Sequence, residues 1–257
     1  MFRLIRTTIL VLILINVAVG TWLTRVRSTS WEHPLRVMMF PIDADGSPAT
    51  AAYIAGLRKD AFQPIAEFMR AEAQRYGVSA YAPVDVYLGA EIFTRPPDPP
   101  FGGNALQVAL WSLQVRFWAW RNADFDGPAP DVRMFVLYHD PERVTSVAHS
   151  LGLQKGLIGV VNAFASEGQQ AQNNVIIAHE LLHTVGATDK YDTRSGGNMP
   201  AYPDGFAEPD KDPVLPQDYA EIMAGRIPLS ESEAEIPESL DQVLVGTATA
   251  REINWLR

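Results

Sequence analysis

Cysteine is missing from all 257 residues. That removes disulfide frameworks, thiol nucleophiles and cysteine-ligated zinc at once, while fitting any redox compartment. Basic side chains are the minority charge, 21 Lys and Arg against 30 Asp and Glu, for a formal net charge of −9. Phosphate binding rests on Lys and Arg, so a nucleic acid is not an expected partner. No internal repeat and no heptad is visible, which excludes solenoids and coiled coils. Histidine is scarce too, with five in the chain, and two of the five stand four residues apart.

What is present is enough for one sizeable domain with appendages, with 47% of the residues hydrophobic. The first appendage is residues 1–27. Arg3 and Arg6 precede an apolar run from Ile9 to Leu23, interrupted by Asn16, Gly20 and Thr21. The run is long for the core of a signal peptide and short for a spanning helix. We read it as a retained signal anchor, a single-pass transmembrane segment. Ala18-Val19-Gly20 offers a small-x-small cleavage site as the alternative. Arg25 and Arg27 balance Arg3 and Arg6, so charge does not settle orientation. A short tail ahead of a long domain puts residues 28–257 outside the cytoplasm, anchored to the membrane or, after cleavage, secreted.

The two paired histidines lie in the stretch Asn173-Asn174-Val175-Ile176-Ile177-Ala178-His179-Glu180-Leu181-Leu182-His183-Thr184-Val185-Gly186-Ala187-Thr188-Asp189. Val175 to Ala178 suit a buried helix, predicted over about 173–185, with Asn173 or Asn174 as its N-cap. Residues four apart share a helix face, so His179 and His183 can offer their imidazoles to one metal ion. Glu180, one residue on, can take a proton from a water at that ion. Gly186 tolerates the left-handed conformation that ends a helix, and the turned chain can bring back Asp189 as a third ligand. Two nitrogens and one oxygen leave a coordination position open, as catalytic rather than structural zinc requires. The plain alternative is a core helix with two hydrogen-bonded histidines and a local ion pair, but those groups are costly to bury without a partner.

These residues resemble the zincin metallopeptidases. The extension His-Glu-x-x-His-x-x-Gly-x-x-Asp is most similar to the metzincins, in the snapalysin-like branch with aspartate at the last position. The likeness covers about a dozen residues closely and beyond them only the order of elements. It implies one zinc ion held by His179, His183 and Asp189, with Glu180 as general base and acid in hydrolysis of a peptide or protein substrate.

Around this stretch the chain reads as an α/β (α+β) domain built on a twisted mixed sheet. Strands are predicted at 35–42, 85–92, 132–138 and 156–163. Helices are predicted at 53–76, whose apolar stripe runs from Ile54 to Met69, and at 104–121. The two would pack on one sheet face, with the metal helix sheltered by the other. The aromatics of the second helix, Trp111, Phe117, Trp118 and Trp120, read as sheet-packing residues. The proline-rich 95–103 is a rigid loop. The irregular segment 190–225 follows the metal stretch directly, as a cleft wall would. Residues 230–256 carry helix-start signals at Ser232, Ser239 and Thr249 and are expected to form one or two closing helices.

Several site roles stay open at this level. Asp192 competes with Asp189 as third ligand, or holds a ligating histidine. Glu208 with Asp212, or Glu221, are more remote alternatives. An oxyanion stabiliser would come from Tyr191, Tyr202 or Tyr219. Ile222-Met223 looks like the methionine turn that metzincins place beneath the zinc, with Met199 as a rival. His139 and His149 read as hydrogen-bonded or surface histidines, and His33 has no assigned role. The function expected is a membrane-anchored zinc endopeptidase; the alternative is a non-catalytic, metal-stabilised scaffold.

Overall fold

The fold is taken from a computed structural model of the chain. It describes residues 6, 7 and 11, and from 27 to 256 all but 79–81, 101, 126, 155 and 193–198. The expected anchor thus falls almost wholly outside the described residues. Among those that are described, no helix is long and apolar enough to cross a membrane.

Five strands form the central sheet: β1 (Leu35–Asp43), β2 (Val84–Leu88), β3 (Val132–His139), β4 (Leu151–Leu153) and β5 (Ile158–Phe164). Their spatial order is β2-β1-β3-β5-β4. The first four in this order run parallel, and β4 pairs antiparallel to β5 at the edge. The sheet is therefore mixed. Its central strands are buried on both faces, which is why they read as near-continuous apolar runs. Val37 and Met39 of β1 face one core with Val132, Met134, Val136 and Tyr138 of β3. Phe40, Ile42, Phe135 and Leu137 face the other.

Helices α1 (Pro48–Gly56), α2 (Gln63–Arg75), α3 (Ala105–Asn122) and α4 (Gln170–Thr184) cover the sheet. The predicted helix 53–76 is instead α1, a 3-10 turn at Lys59–Phe62, and α2. Leu57 and Arg58 are extended, and Pro64 stands in the first turn of α2, where its missing N–H costs nothing. Between β1 and the site helix, the described residues thus form three α-helices, not two.

Their placement also differs from the sequence expectation. Ile65, Phe68 and Met69 of α2 share a core with Val175, Ile177, Ala178, Leu181 and Leu182 of α4. Trp111, Val115 and Ala119 of α3 pack on the opposite face. The strand order explains this: β1 to β2 moves outward, β2 to β3 moves back past β1. Crossovers of one hand in opposite directions put their helices on opposite faces.

The site helix starts three residues earlier than predicted, and neither asparagine caps it. Asn173 and Asn174 are buried inside α4. Asn173 accepts from the Phe164 N–H at 3.1 Å and donates to its carbonyl at 2.9 Å, tying α4 to the end of β5. Asn174 donates to the Ala61 carbonyl at 2.9 Å, tying it to the turn before α2.

After α4 the chain forms short strands β6 (Ala220–Glu221), β7 (Ile227–Pro228), β8 (Ala234–Glu235) and β9 (Val243–Leu244), then helix α5 (Thr247–Glu252). The closing part is therefore mostly irregular, with one six-residue helix. Ser232 starts no helix, because the Ser230 hydroxyl accepts from the Glu233 N–H at 3.1 Å and closes the β7–β8 turn instead. Ser239 caps a single 3-10 turn, Leu240–Gln242.

Phe135 is fully buried, 5.5 Å from the Phe40 ring and 4.8 Å from Trp118. Phe135→Ala should lower unfolding stability by about 3–5 kcal/mol, read from the midpoint shift in a denaturant titration.

Candidate metal centre

Helix α4 ends in a Schellman motif. Gly186 has φ +110°, its N–H donates to the His183 carbonyl, and the Ala187 N–H donates to the Leu182 carbonyl, both at 3.1 Å. The turn frees the Ala187 carbonyl, which accepts from His183 Nδ1 at 2.8 Å. His179 Nδ1 is held in the same way by the Ile222 carbonyl, also at 2.8 Å. A carbonyl can only accept, so both Nδ1 atoms carry protons. In the neutral imidazoles each Nε2 is then a bare lone pair.

The two Nε2 atoms face each other at 3.1 Å. Asp189 Oδ1 lies 3.1 Å from His183 Nε2 and 3.3 Å from His179 Nε2. Three electron-pair donors converging this closely repel one another unless a cation lies between them. A tetrahedral ion with ligands at about 2.0–2.1 Å keeps neighbouring donor atoms about 3.3 Å apart. The cluster fits that spacing, and an N₂O donor set suits zinc. Among the described residues this is the group of His, Asp and Glu side chains that could hold a metal ion.

Of the other ligand candidates, Asp192 pairs through its backbone with Met199 and is not in the group. Glu208 and Asp212 lie in a loop closed by Gln217, which bonds the Glu208 N–H and carbonyl. Glu221 is fully buried and otherwise engaged. Its carboxylate accepts from the Met223 N–H at 2.6 Å, the Ala224 and Gly246 N–H groups at 3.0 Å, and the Thr249 hydroxyl at 2.6 Å. It thereby fixes the turn whose Ile222 carbonyl orients His179. Met223 is fully buried in that turn, whereas Met199 is half-buried beside the Tyr191–Pro200 bridge.

A second clamp holds Asp189. Lys190 donates to both carboxylate oxygens of Glu252 at 2.8 Å, and its backbone N–H donates to the Met223 carbonyl at 2.9 Å. Thr188 adds two bonds to the same carboxylate. Of the three tyrosines, Tyr191 reaches the group, its hydroxyl donating to Asp189 Oδ2 at 2.9 Å. Tyr202 instead packs on Phe206. Neither Tyr202 nor Tyr219 lines the cleft.

The cleft beside the cluster has a volume of about 570 Å³ and is bordered by His149, Val175, Ile176, Glu180, Tyr191 and Ile222, among others. His139 stays outside it, bonded to Asn162 at 3.0 Å. Glu180 is buried, its Oε2 has no hydrogen-bond partner, and its carboxylate accepts from the Gly152 N–H of β4. Burial raises its pKa above the usual carboxylate range, against the pull of His179 and His183. Burial would also raise Asp189, but a proton carried on Nε2 of His179 or His183 when no ion is bound, together with the Tyr191 bond, holds it well below that range. Burial, then the Asp189 bond, push Tyr191 up to about 12. Gly152 lets β4 lie against α4, because a Cβ there would strike the Glu180 carbonyl and His183 Cβ.

The chain matches no protein-family model and no curated protein.

Sequence reasoning did not find Glu221, Lys190, Glu252 or Gly152 as supports of the site, since each acts across a long sequence separation or through an absent side chain. Elemental analysis of the full chain should give about one zinc, lost on His183→Ala and on Asp189→Ala. Glu221→Ala should keep the fold while weakening zinc binding roughly 10–100-fold in a chelator competition, and Glu221→Gln should restore part of the loss.

Proposed function

We propose that this protein is a zinc-dependent endopeptidase of metzincin-like type, anchored to a membrane by residues 1–27 with its catalytic domain outside the cytoplasm. The observation that carries the reading is Glu180. A purely structural metal site has no use for a buried carboxyl group with an unpartnered oxygen beside its ligands.

His179, His183 and Asp189 would hold the ion. A zinc ion held there would supply Lewis-acid chemistry for the peptide carbonyl. Glu180 accepts a proton from the attacking water and passes it to the leaving amine. Its unpartnered Oε2 leaves it free for both halves of that transfer. The Tyr191 hydroxyl borders the cleft, and its one proton, held at rest by Asp189 Oδ2, would turn from that bond to face developing negative charge. An extended peptide would enter along β4, the edge strand bordering α4.

Glu180→Gln tests the assignment. The variant should keep its zinc and its melting temperature while turnover of a peptide library falls by about 10²–10⁴-fold. Unchanged turnover would remove Glu180 from the chemistry. A zinc-loaded wild type that cleaves nothing would favour a metal-stabilised scaffold instead.

A further inference from the structure

Helix α3 is apolar on both sides. Its inner side, Trp111, Val115 and Ala119, is buried against the sheet. Its outer side carries Leu106, Leu110, Leu113, Phe117 and Trp120, each between 53% and 75% exposed. At 3.6 residues per turn these five fall within an arc of roughly 80°, directly opposite the buried side. The Phe117 and Trp120 rings lie 5.8 Å apart at one end of the stripe. Phe93 is 88% exposed, and a bond from the neighbouring Thr94 to Asn122 keeps it by the last turn of the helix. An apolar patch of this extent marks a binding surface.

Charge selects among its occupants. In a chain of net charge −9, α3 has no acidic residue and two arginines. Arg116 and Arg121 fall on opposite flanks of the stripe by helical spacing. A second copy of α3 across a two-fold axis would bring arginines together with no carboxylate on the helix to meet them. Residues 1–27 contain Arg3, Arg6, Arg25 and Arg27 and no acidic residue, so they offer the same sign of charge. An anionic lipid surface offers the opposite sign and an apolar layer beneath it.

The path of the chain agrees. Arg27 forms an ion pair with Asp131 at 3.4 Å, immediately before β3 and just after the loop that leaves α3. Arg27, the residue at which the described domain begins, therefore lies toward the Trp120 end of the helix. An apolar stripe ending in aromatics and flanked by arginines is the make-up of helices that lie in a membrane interface.

We infer that the outer face of α3 docks flat on an anionic lipid bilayer. The domain then rests on its membrane through α3, with α4 and the metal cluster on the far face of the sheet. The inference goes beyond the proposed activity and shares with it only the anchor.

The absence of cysteine makes the test direct. The full chain carrying Leu113→Cys, labelled with an environment-sensitive nitrobenzoxadiazole fluorophore, is reconstituted into phosphatidylcholine–phosphatidylglycerol vesicles with and without doxyl-labelled lipid. Ala71→Cys, exposed on α2 across the sheet, is the control. Lipid quencher should dim the label at position 113 severalfold more than at 71. The difference should shrink in phosphatidylcholine alone and with Arg116→Glu plus Arg121→Glu. Co-sedimentation of the unlabelled chain reports the anchor separately. A chain that pellets with vesicles while the label at 113 stays unquenched overturns the docking and leaves the anchor standing. A chain that stays in the supernatant overturns both. Shielding of position 113 that rises with protein concentration and ignores lipid assigns the face to a second copy. Shielding at all concentrations, insensitive to quencher, assigns it to the N-terminal segment. Either result overturns the inference.

Discussion

Two backbone carbonyls, those of Ile222 and Ala187, take the Nδ1 protons of His179 and His183 and thereby force two Nε2 lone pairs to face each other beside Asp189 Oδ1. Left without a cation, that arrangement stores electrostatic repulsion. The surroundings keep it from relaxing. The first carbonyl is fixed by the buried Glu221 carboxylate, which gathers four donors from the Met223 turn and the approach to α5. The second is fixed by the Schellman turn at Gly186. A buried carboxylate would ordinarily be a liability, but one satisfied this completely acts as a rigid node.

The sheet gives these contacts a foundation. Asn173 binds α4 to the end of β5, and the Leu181 and Leu182 side chains seat it among the strands. On the other side, Gly152 lets β4 approach α4 closely enough for its N–H to reach Glu180. The cleft floor is thus a helix held from below by packing and from the side by an edge strand. Close packing of this kind holds ligands to a fraction of an ångström, which is the tolerance that metal coordination demands.

The parts of the site that could be read from the sequence are those governed by local geometry. The four-residue spacing of the histidines and the glycine that turns the chain toward Asp189 act within eleven residues of one another, and the structure brings those side chains together. Strands β1 and β3 were equally legible, because burial on both faces leaves a near-continuous apolar run in their own residues. What lay hidden was non-local or two-sided. Glu221 looks like any other glutamate until Gly246 and Thr249 arrive. Asn173 and Asn174 resemble caps because their hydrogen bonds to distant carbonyls leave no trace in the pattern. The break at Leu57 is invisible in an apolar stripe that continues across it. Helix α3 defeats periodicity altogether: with apolar residues on both sides, its sequence does not say which side meets the sheet.

The clamp between Lys190 and Glu252 spans 62 positions of sequence, and Thr188 and the Glu221 node reach equally late residues. The three converging donor residues themselves lie upstream. During synthesis, therefore, His179, His183 and Asp189 leave the ribosome well before the segment that aims them. A nascent chain that stops short of residue 246 carries the three donor side chains without their posture. Assembly of the centre is thereby tied to the emergence of residues 246–252, with α5 as the closing latch.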